Sequence, residues 1–417
     1  MFQGLSLEQA PPYAIPIKFY LSGAFYLILL SVAIAIYGFS IGSRFDYEVI
    51  ALTHLLTLGF ITHVMFGSLF QMLPVMLATP YTNVIKNATI IHIALNAGIL
   101  SFVVGFLTNT PLLLYLAGAV LSGTFFYFAI LSFKTVLLSQ EKNTLVQNFA
   151  ASFIALFAAA LFGALALLGH FGFVDTLRYG NTHIAFMLFG WVFLLIVSVS
   201  YKIIPMFFVA KEFPIFLQKR LYPAQLVFLL LFAYAQLQEK MLLLTLTQIL
   251  LCVPVIIFAL LSIQILRKRK RARKDASIQL WYFAMGNAVL ASLLFTGANI
   301  LHVNLSFAIG FFTLFGAVYA LINAMLYKII PFLTWFHLSS NMVFDAEMGD
   351  VIPKKKMNIQ INLYYLTYFF FLCTVLSPAF IIPSATLFLF SSLLLLLNIL
   401  KAQKYYNEYM KKKVVFE

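Results

Sequence analysis

The sequence predicts an all-α polytopic membrane protein, about twelve transmembrane helices arranged as three parallel four-helix repeats in a pseudo-threefold bundle. Three observations predict it. Mean hydropathy is +0.98, 63% of the 417 residues are hydrophobic and only 10% are charged, more apolar surface than a soluble core of this length needs. One stretch occurs three times, as Gly59 to Pro74, Gly190 to Pro205 and Gly316 to Pro331, with Gly and Pro 15 positions apart in each and the copies 131 and 126 positions apart. The second and third copies close on the same pentapeptide, Tyr201 to Pro205 and Tyr327 to Pro331. Finally, the basic residues fall almost entirely in alternate loops.

Each apolar run is long enough for a hydrocarbon core of about 30 Å. They lie near residues 17–39, 48–78, 88–108, 111–133, 146–170, 182–208, 221–238, 241–266, 279–302, 304–333, 358–382 and 384–402. The first is too long for a signal-peptide core and lacks a small-residue cleavage site, so it reads as a span. Only Asn299, His302 and Asn304 separate the ninth from the tenth. The repeats run over 1–137, 138–266 and 279–402 of a single membrane domain, 1–417, with a cytoplasmic tail at 403–417. The repeated stretch falls in spans 2, 6 and 10. The paired glycines, such as Gly59 and Gly67, suit close helix contact, and each proline marks a kink or a helix exit.

Loops after even-numbered spans hold Lys86, Lys134, Lys142, Lys211, Lys219, Arg220, the block from Arg267 to Lys274 and Lys354 to Lys356, while those after odd spans hold only Arg44, Arg178 and Lys240. This asymmetry predicts cytoplasmic termini and accounts for the net charge of +14 by topology and membrane lipid, with no call for nucleic acid. The block from Arg267 reads as a topology anchor, with anionic-lipid binding as a second role. Spans 2, 6 and 10 then all run from outside to inside, and Lys202 and Lys328 can snorkel at their inner ends. The two cysteines, Cys252 and Cys373, sit in apolar runs and point to neither a disulfide framework nor a zinc site.

A histidine precedes each repeated glycine: His54, His183 and His302. An imidazole in hydrocarbon needs a partner, either an interhelical hydrogen bond or a metal. His54, His183 and His302 are the candidate metal ligands, and His54, His302 and His63 the candidate haem ligands. On a regular helix His54 and His63 fall on roughly opposite faces, about 13 Å apart along the axis, so one ion cannot bind both. His92, His170 and His337 read as interfacial. Met65, Met72, Met76, Met206 and Met325 read as packing residues. None of the thirteen acidic residues lies mid-span, which argues against proton pumping or ion-driven transport.

The stretch from His54 through Gly59 and Gly67 to Pro74 resembles the second helix of the haem-copper oxidase catalytic subunit, most closely its nitric oxide reductase branch. Asn181-Thr182-His183-Ile184-Ala185-Phe186 and His302-Val303-Asn304-Leu305 resemble the tenth-helix His-Gly-His-Leu-Ala-Phe motif of that family, each with one histidine replaced by asparagine. The NnrS-like proteins of nitrosative-stress resistance are a divergent branch that the chain also resembles. The resemblance implies twelve spans, pseudo-threefold symmetry and metal ligands near the outer face of helices 2, 6 and 10. It departs at the copper site, since span 7 has no histidine and Met187 stands four residues after His183, where oxidases have a cross-linked tyrosine.

The expectation is a bacterial inner-membrane protein with non-covalent b-type haem and copper as a second candidate. It would serve electron transfer or NO and O₂ handling without a complete binuclear centre, with a cytochrome or other respiratory subunit as partner. Phe60, Trp191 and Phe315 would pack on the porphyrin. The alternatives are a metal-free transporter or channel for a neutral substrate, and an assembly factor of a respiratory complex that docks through its basic tail.

Overall fold

The computed structural model describes residues 6–141, 143–270 and 275–411. Lys142, Arg271 to Lys274 of the basic block, and Lys412 and Lys413 of the tail lie outside the described residues. Among the described residues every regular element is helical. Eleven helices are long and apolar enough to cross a membrane: α1 (Ala14–Ser40), α2 (Tyr47–Leu77), α3 (Val84–Leu107), α4 (Pro111–Leu137), α5 (Thr144–His170), α6 (Thr176–Phe208), α7 (Ile215–Leu237), α8 (Met241–Arg267), α9 (Ala276–Leu301), α10 (Ser306–Ser340) and, after one more helix, α12 (Pro378–Met410). The intervening helix, α11 (Lys354–Cys373), opens on three lysines. Large apolar side chains such as Ile36, Leu230 and Leu242 stand exposed on the outer surface, as a lipid-facing wall requires.

Consecutive helices pack side by side, and α12 packs along α1 to close the ring. Three helices lie inside it. The apolar windows of α2, α6 and α10 are 72%, 67% and 61% buried, against 22–44% for the other eight. These are the helices with the repeated Gly-to-Pro stretch. Each contains a π-helical segment around its glycine, at Leu55–Thr62, Phe186–Val192 and Phe311–Tyr319. The glycines are there because neighbours leave no room for a Cβ. One added at Gly59 would lie 2.7 Å from Tyr26 Cβ of α1, one at Gly190 2.8 Å from Ala155 Cβ of α5, and one at Gly316 against the Asn287 amide of α9.

The three inner helices meet around an apolar cavity of about 90 Å³. Its wall is made of equivalent positions from the three copies. Val64, Leu195 and Leu321 form one such triplet, Met65, Ile196 and Ile322 the next, and Ser68, Val199 and Met325 a third. Within every triplet the spacing is that of the sequence repeat, 131 and then 126 positions.

Several local expectations shift. Pro74, Pro205 and Pro331 all lie inside their helices. The first two helices end shortly after proline on left-handed caps, Ala78 and Val209, whereas α10 runs on to Ser340. Lys328 does not snorkel freely; it is half-buried and ion-paired with Asp275. The break before α12 falls at Thr374 to Ser377, earlier than hydropathy suggests, because the turn itself is apolar (Val375, Leu376) and Ser377 Oγ accepts from Ala379 N–H beyond it. The tail continues α12 as helix to Met410, with Tyr405, Tyr406 and Tyr409 packed against Leu338, Val343 and Ala346.

A valine at Gly59 must push Tyr26 away at atoms next to its own backbone. Gly59→Val is expected to lower stability by about 1–3 kcal/mol, the range for overpacking. Gly123→Ala, which meets nothing within 4 Å, should leave the unfolding temperature unchanged or slightly raised. Thermal unfolding of both variants in detergent checks this.

Candidate functional site

A π-helical turn shifts backbone hydrogen bonds from i→i+4 to i→i+5 and leaves carbonyls poorly placed for their usual donors. In hydrocarbon such a carbonyl needs another partner inside the protein. The chain supplies one at the same position in all three inner helices, the residue just before the repeated glycine. His63 Nδ1 donates to Leu58 O at 3.1 Å, Gln225 Nε2 to Phe189 O at 3.1 Å, and Tyr364 OH to Phe315 O at 2.8 Å. The donor is on α2 itself in the first case, on α7 in the second and on α11 in the third. Sequence reading missed Gln225 and Tyr364. The available signal was a polar side chain inside the third span of each repeat, where Asn96, Gln225 and Gln360 also stand.

His63 is fully satisfied. A carbonyl only accepts, so Nδ1 carries the proton. Its Nε2 accepts from Asn96 Nδ2 at 3.2 Å. Asn96 also donates to His92 O and accepts from Tyr26 OH, 2.9 Å away. The His92 ring lies 5.8 Å from that of His63, with its Nε2 2.9 Å from Ser22 Oγ. His63 is thus committed to a polar clasp joining α1, α2 and α3.

His54 and His183 are set differently. Each is half-buried and each donates Nδ1–H to a backbone carbonyl, His54 to Ile50 O at 2.7 Å and His183 to Ala159 O of α5 at 2.8 Å. The same logic fixes the tautomer and leaves an Nε2 lone pair on both rings. Phe102 of α3 lies 4.6 Å from the His54 ring, and a side chain at Gly163 would collide with the ring of His183. An imidazole anchored through Nδ1–H to a carbonyl, with Nε2 free, is the usual second-shell arrangement of a metal-binding histidine.

His302 stands apart. It caps α9 in the left-handed conformation, φ 53°, and its side chain is exposed. His170 packs edge-on against Tyr47. His337 is buried beside Tyr13. Phe60, Trp191 and Phe315 are buried among other aromatic rings, Phe60 and Phe315 both against Tyr319. Among the described residues no three His, Cys, Asp or Glu side chains form a group able to hold a metal ion. His63 is thus held in the clasp and His302 lies in an exposed turn, whereas His54 and His183 are each tied to a carbonyl through Nδ1.

At the end of the bundle that carries His54, the loop between α1 and α2 is ordered by Asp46, whose Oδ2 accepts from Gly42 N–H at 2.8 Å and from Ser43 N–H. Those two bonds, Ser43 foremost, hold the carboxyl below its usual range. A cleft of about 400 Å³ opens near this end between α6, α7, α8, α9 and α10. No histidine lines it, and none lines the axial cavity.

No protein-family model matches the chain, and no curated protein matches it.

Removing the Tyr364 hydroxyl leaves Phe315 O without its cap at almost unchanged volume. Tyr364→Phe is expected to cost about 1–3 kcal/mol, the penalty of an orphaned buried acceptor. Hydrogen exchange should quicken over 311–319 and stay unchanged at the other two π segments.

Proposed function

We propose that the protein is a twelve-span integral membrane protein of three parallel four-helix repeats, and that His54 and His183 bind a redox metal, as copper or haem iron, for electron transfer or NO and O₂ handling. The repeat reading is supported by the shared burial, π segments and glycine contacts of α2, α6 and α10, and by the triplets around their axis. In it α11 is the eleventh span. The likeness to haem-copper oxidase and nitric oxide reductase helices at His54 to Pro74 supports the chemistry. The observation that carries the site is the pair of neutral imidazoles with Nδ1–H tied to carbonyls.

The donor set fits the metal. Two neutral imidazole nitrogens would suit copper, and would also suit the iron of a b-type haem. Neither cavity described above offers a porphyrin a histidine. Bound metal would supply one-electron chemistry. The chain's own part is to fix both tautomers and restrict both rings, with Phe102 shielding one of them. His302, in its exposed turn, has no part in this reading, and His63 serves as a structural cap.

A second reading, a metal-free carrier of an apolar or amphipathic molecule, is favoured by the 400 Å³ cleft. Copper and iron assays with oxidised and reduced optical spectra of the purified protein separate the two. His54→Ala and His183→Ala are each expected to lower bound metal at least tenfold, and His302→Ala to leave it unchanged. Metal retained in both of the first two variants, or none in a folded wild-type sample from copper- and haem-replete cells, contradicts the metal site.

A further inference from the structure

The cleft between α6, α7, α8, α9 and α10 is long. Along α10 its wall runs from Ser306 to Leu321, about 20 Å at 1.5 Å per residue. Its depth is apolar, with Phe258 and Ala259 of α8, Met285 and Ala288 of α9 and Leu321 of α10. At the mouth Arg44 joins the amides of Asn181, Gln236, Asn299 and Asn304, and farther in the polar groups are Gln248, Ser292 and Thr313. A volume of about 400 Å³, apolar walls and a few convergent polar groups are the features of a small-molecule site.

Arg44 gives that mouth its sign. Its guanidinium is half-buried, donates to Asn181 Oδ1 at 3.1 Å and lies over the Phe45 ring at 4.6 Å. Among the described residues no carboxylate lies within ion-pair distance of it. Arg178, on the same face, is held by both Asp175 and Glu239. Nearby Asp46 is occupied with Gly42 and Ser43. One arginine is thus neutralised by two acids, and the one over the cleft keeps its charge.

We propose that this cleft binds a long-chain fatty-acid carboxylate, head at Arg44 and chain laid along α8, α9 and α10. An unpaired guanidinium accepts a carboxylate through two parallel N–H···O bonds. A cleft of this length and about 400 Å³ suits one extended chain rather than the two chains of a phospholipid. The site is separate from the His54 and His183 pair and does not depend on metal.

The test uses the full chain in phosphatidylcholine nanodiscs, with tritiated palmitate as probe. Saturable binding is expected, weakened at least tenfold in Arg44→Gln and in Ala288→Phe, which fills the cleft from α9. The uncharged long-chain alcohol of equal length should compete at least tenfold less well than palmitate against wild type. A photoactivatable palmitate should label the stretches Leu251 to Ala259 and Met285 to Asn299. Equal palmitate binding by wild type and Arg44→Gln, or equal competition by the alcohol, overturns the role of Arg44. Label spread evenly over the lipid-facing surface overturns the site. Displacement by phosphatidylglycerol as effective as by palmitate overturns the single-chain assignment. Unchanged unfolding temperatures for both variants tie any loss to the cleft.

Discussion

Inside a bilayer, a backbone carbonyl that loses its helical partner has no water to turn to. That constraint shapes the centre of this molecule. Three helices carry a π segment, and in each the carbonyl before the glycine is met by a side chain: His63, Gln225 or Tyr364. The donors differ in chemistry and in the helix they come from, but the need is the same. The glycines belong to the same design, since each lets the bulged helix close on its neighbour, on Tyr26, Ala155 or Asn287. Bulge, cap and close contact together set which faces of α2, α6 and α10 look toward the axis and which look outward.

The settings of His54 and His63 follow from that geometry. A π segment lies between His54 and His63, so their relative direction is not that of a regular helix. One ring is turned to Phe102, the other to the clasp with Asn96 and His92. Both have Nδ1 bound to a carbonyl. What separates them is the second nitrogen, occupied by Asn96 in His63 and open in His54. A single amide thus sets the two histidines apart.

Much of the architecture was legible in the residues. The recurrence of Gly59, Gly190 and Gly316, and the spacing that carries Met65 to Ile196 and Ile322, mark three corresponding helices in the sequence itself. Hydropathy finds the spans because hydrocarbon demands long apolar runs. It misplaces the turn before α12 because Val375 and Leu376 are apolar in a loop. The π segments were not legible: these helices are apolar on all sides, so a shift in turn geometry leaves no break in the pattern. His302 looked equivalent from its place upstream of a repeat, but it lies 14 positions before its glycine, whereas His54 lies 5 before its own. That added length ends α9 in a left-handed turn at the surface.

The account rests most heavily on three inner helices running in the same direction around one axis. Single cysteines, in a background with Cys252→Ser and Cys373→Ser, test this with a membrane-impermeant maleimide applied to sealed cells. Gly42→Cys, Phe173→Cys and Asn304→Cys sit before the three helices, and Thr82→Cys, Glu212→Cys and Met342→Cys sit after them, all at exposed positions. The first three should all label from outside, and the last three only once the membrane is opened. A split within either group would mean that one of the three helices runs the other way, and the parallel repeat would fall with it.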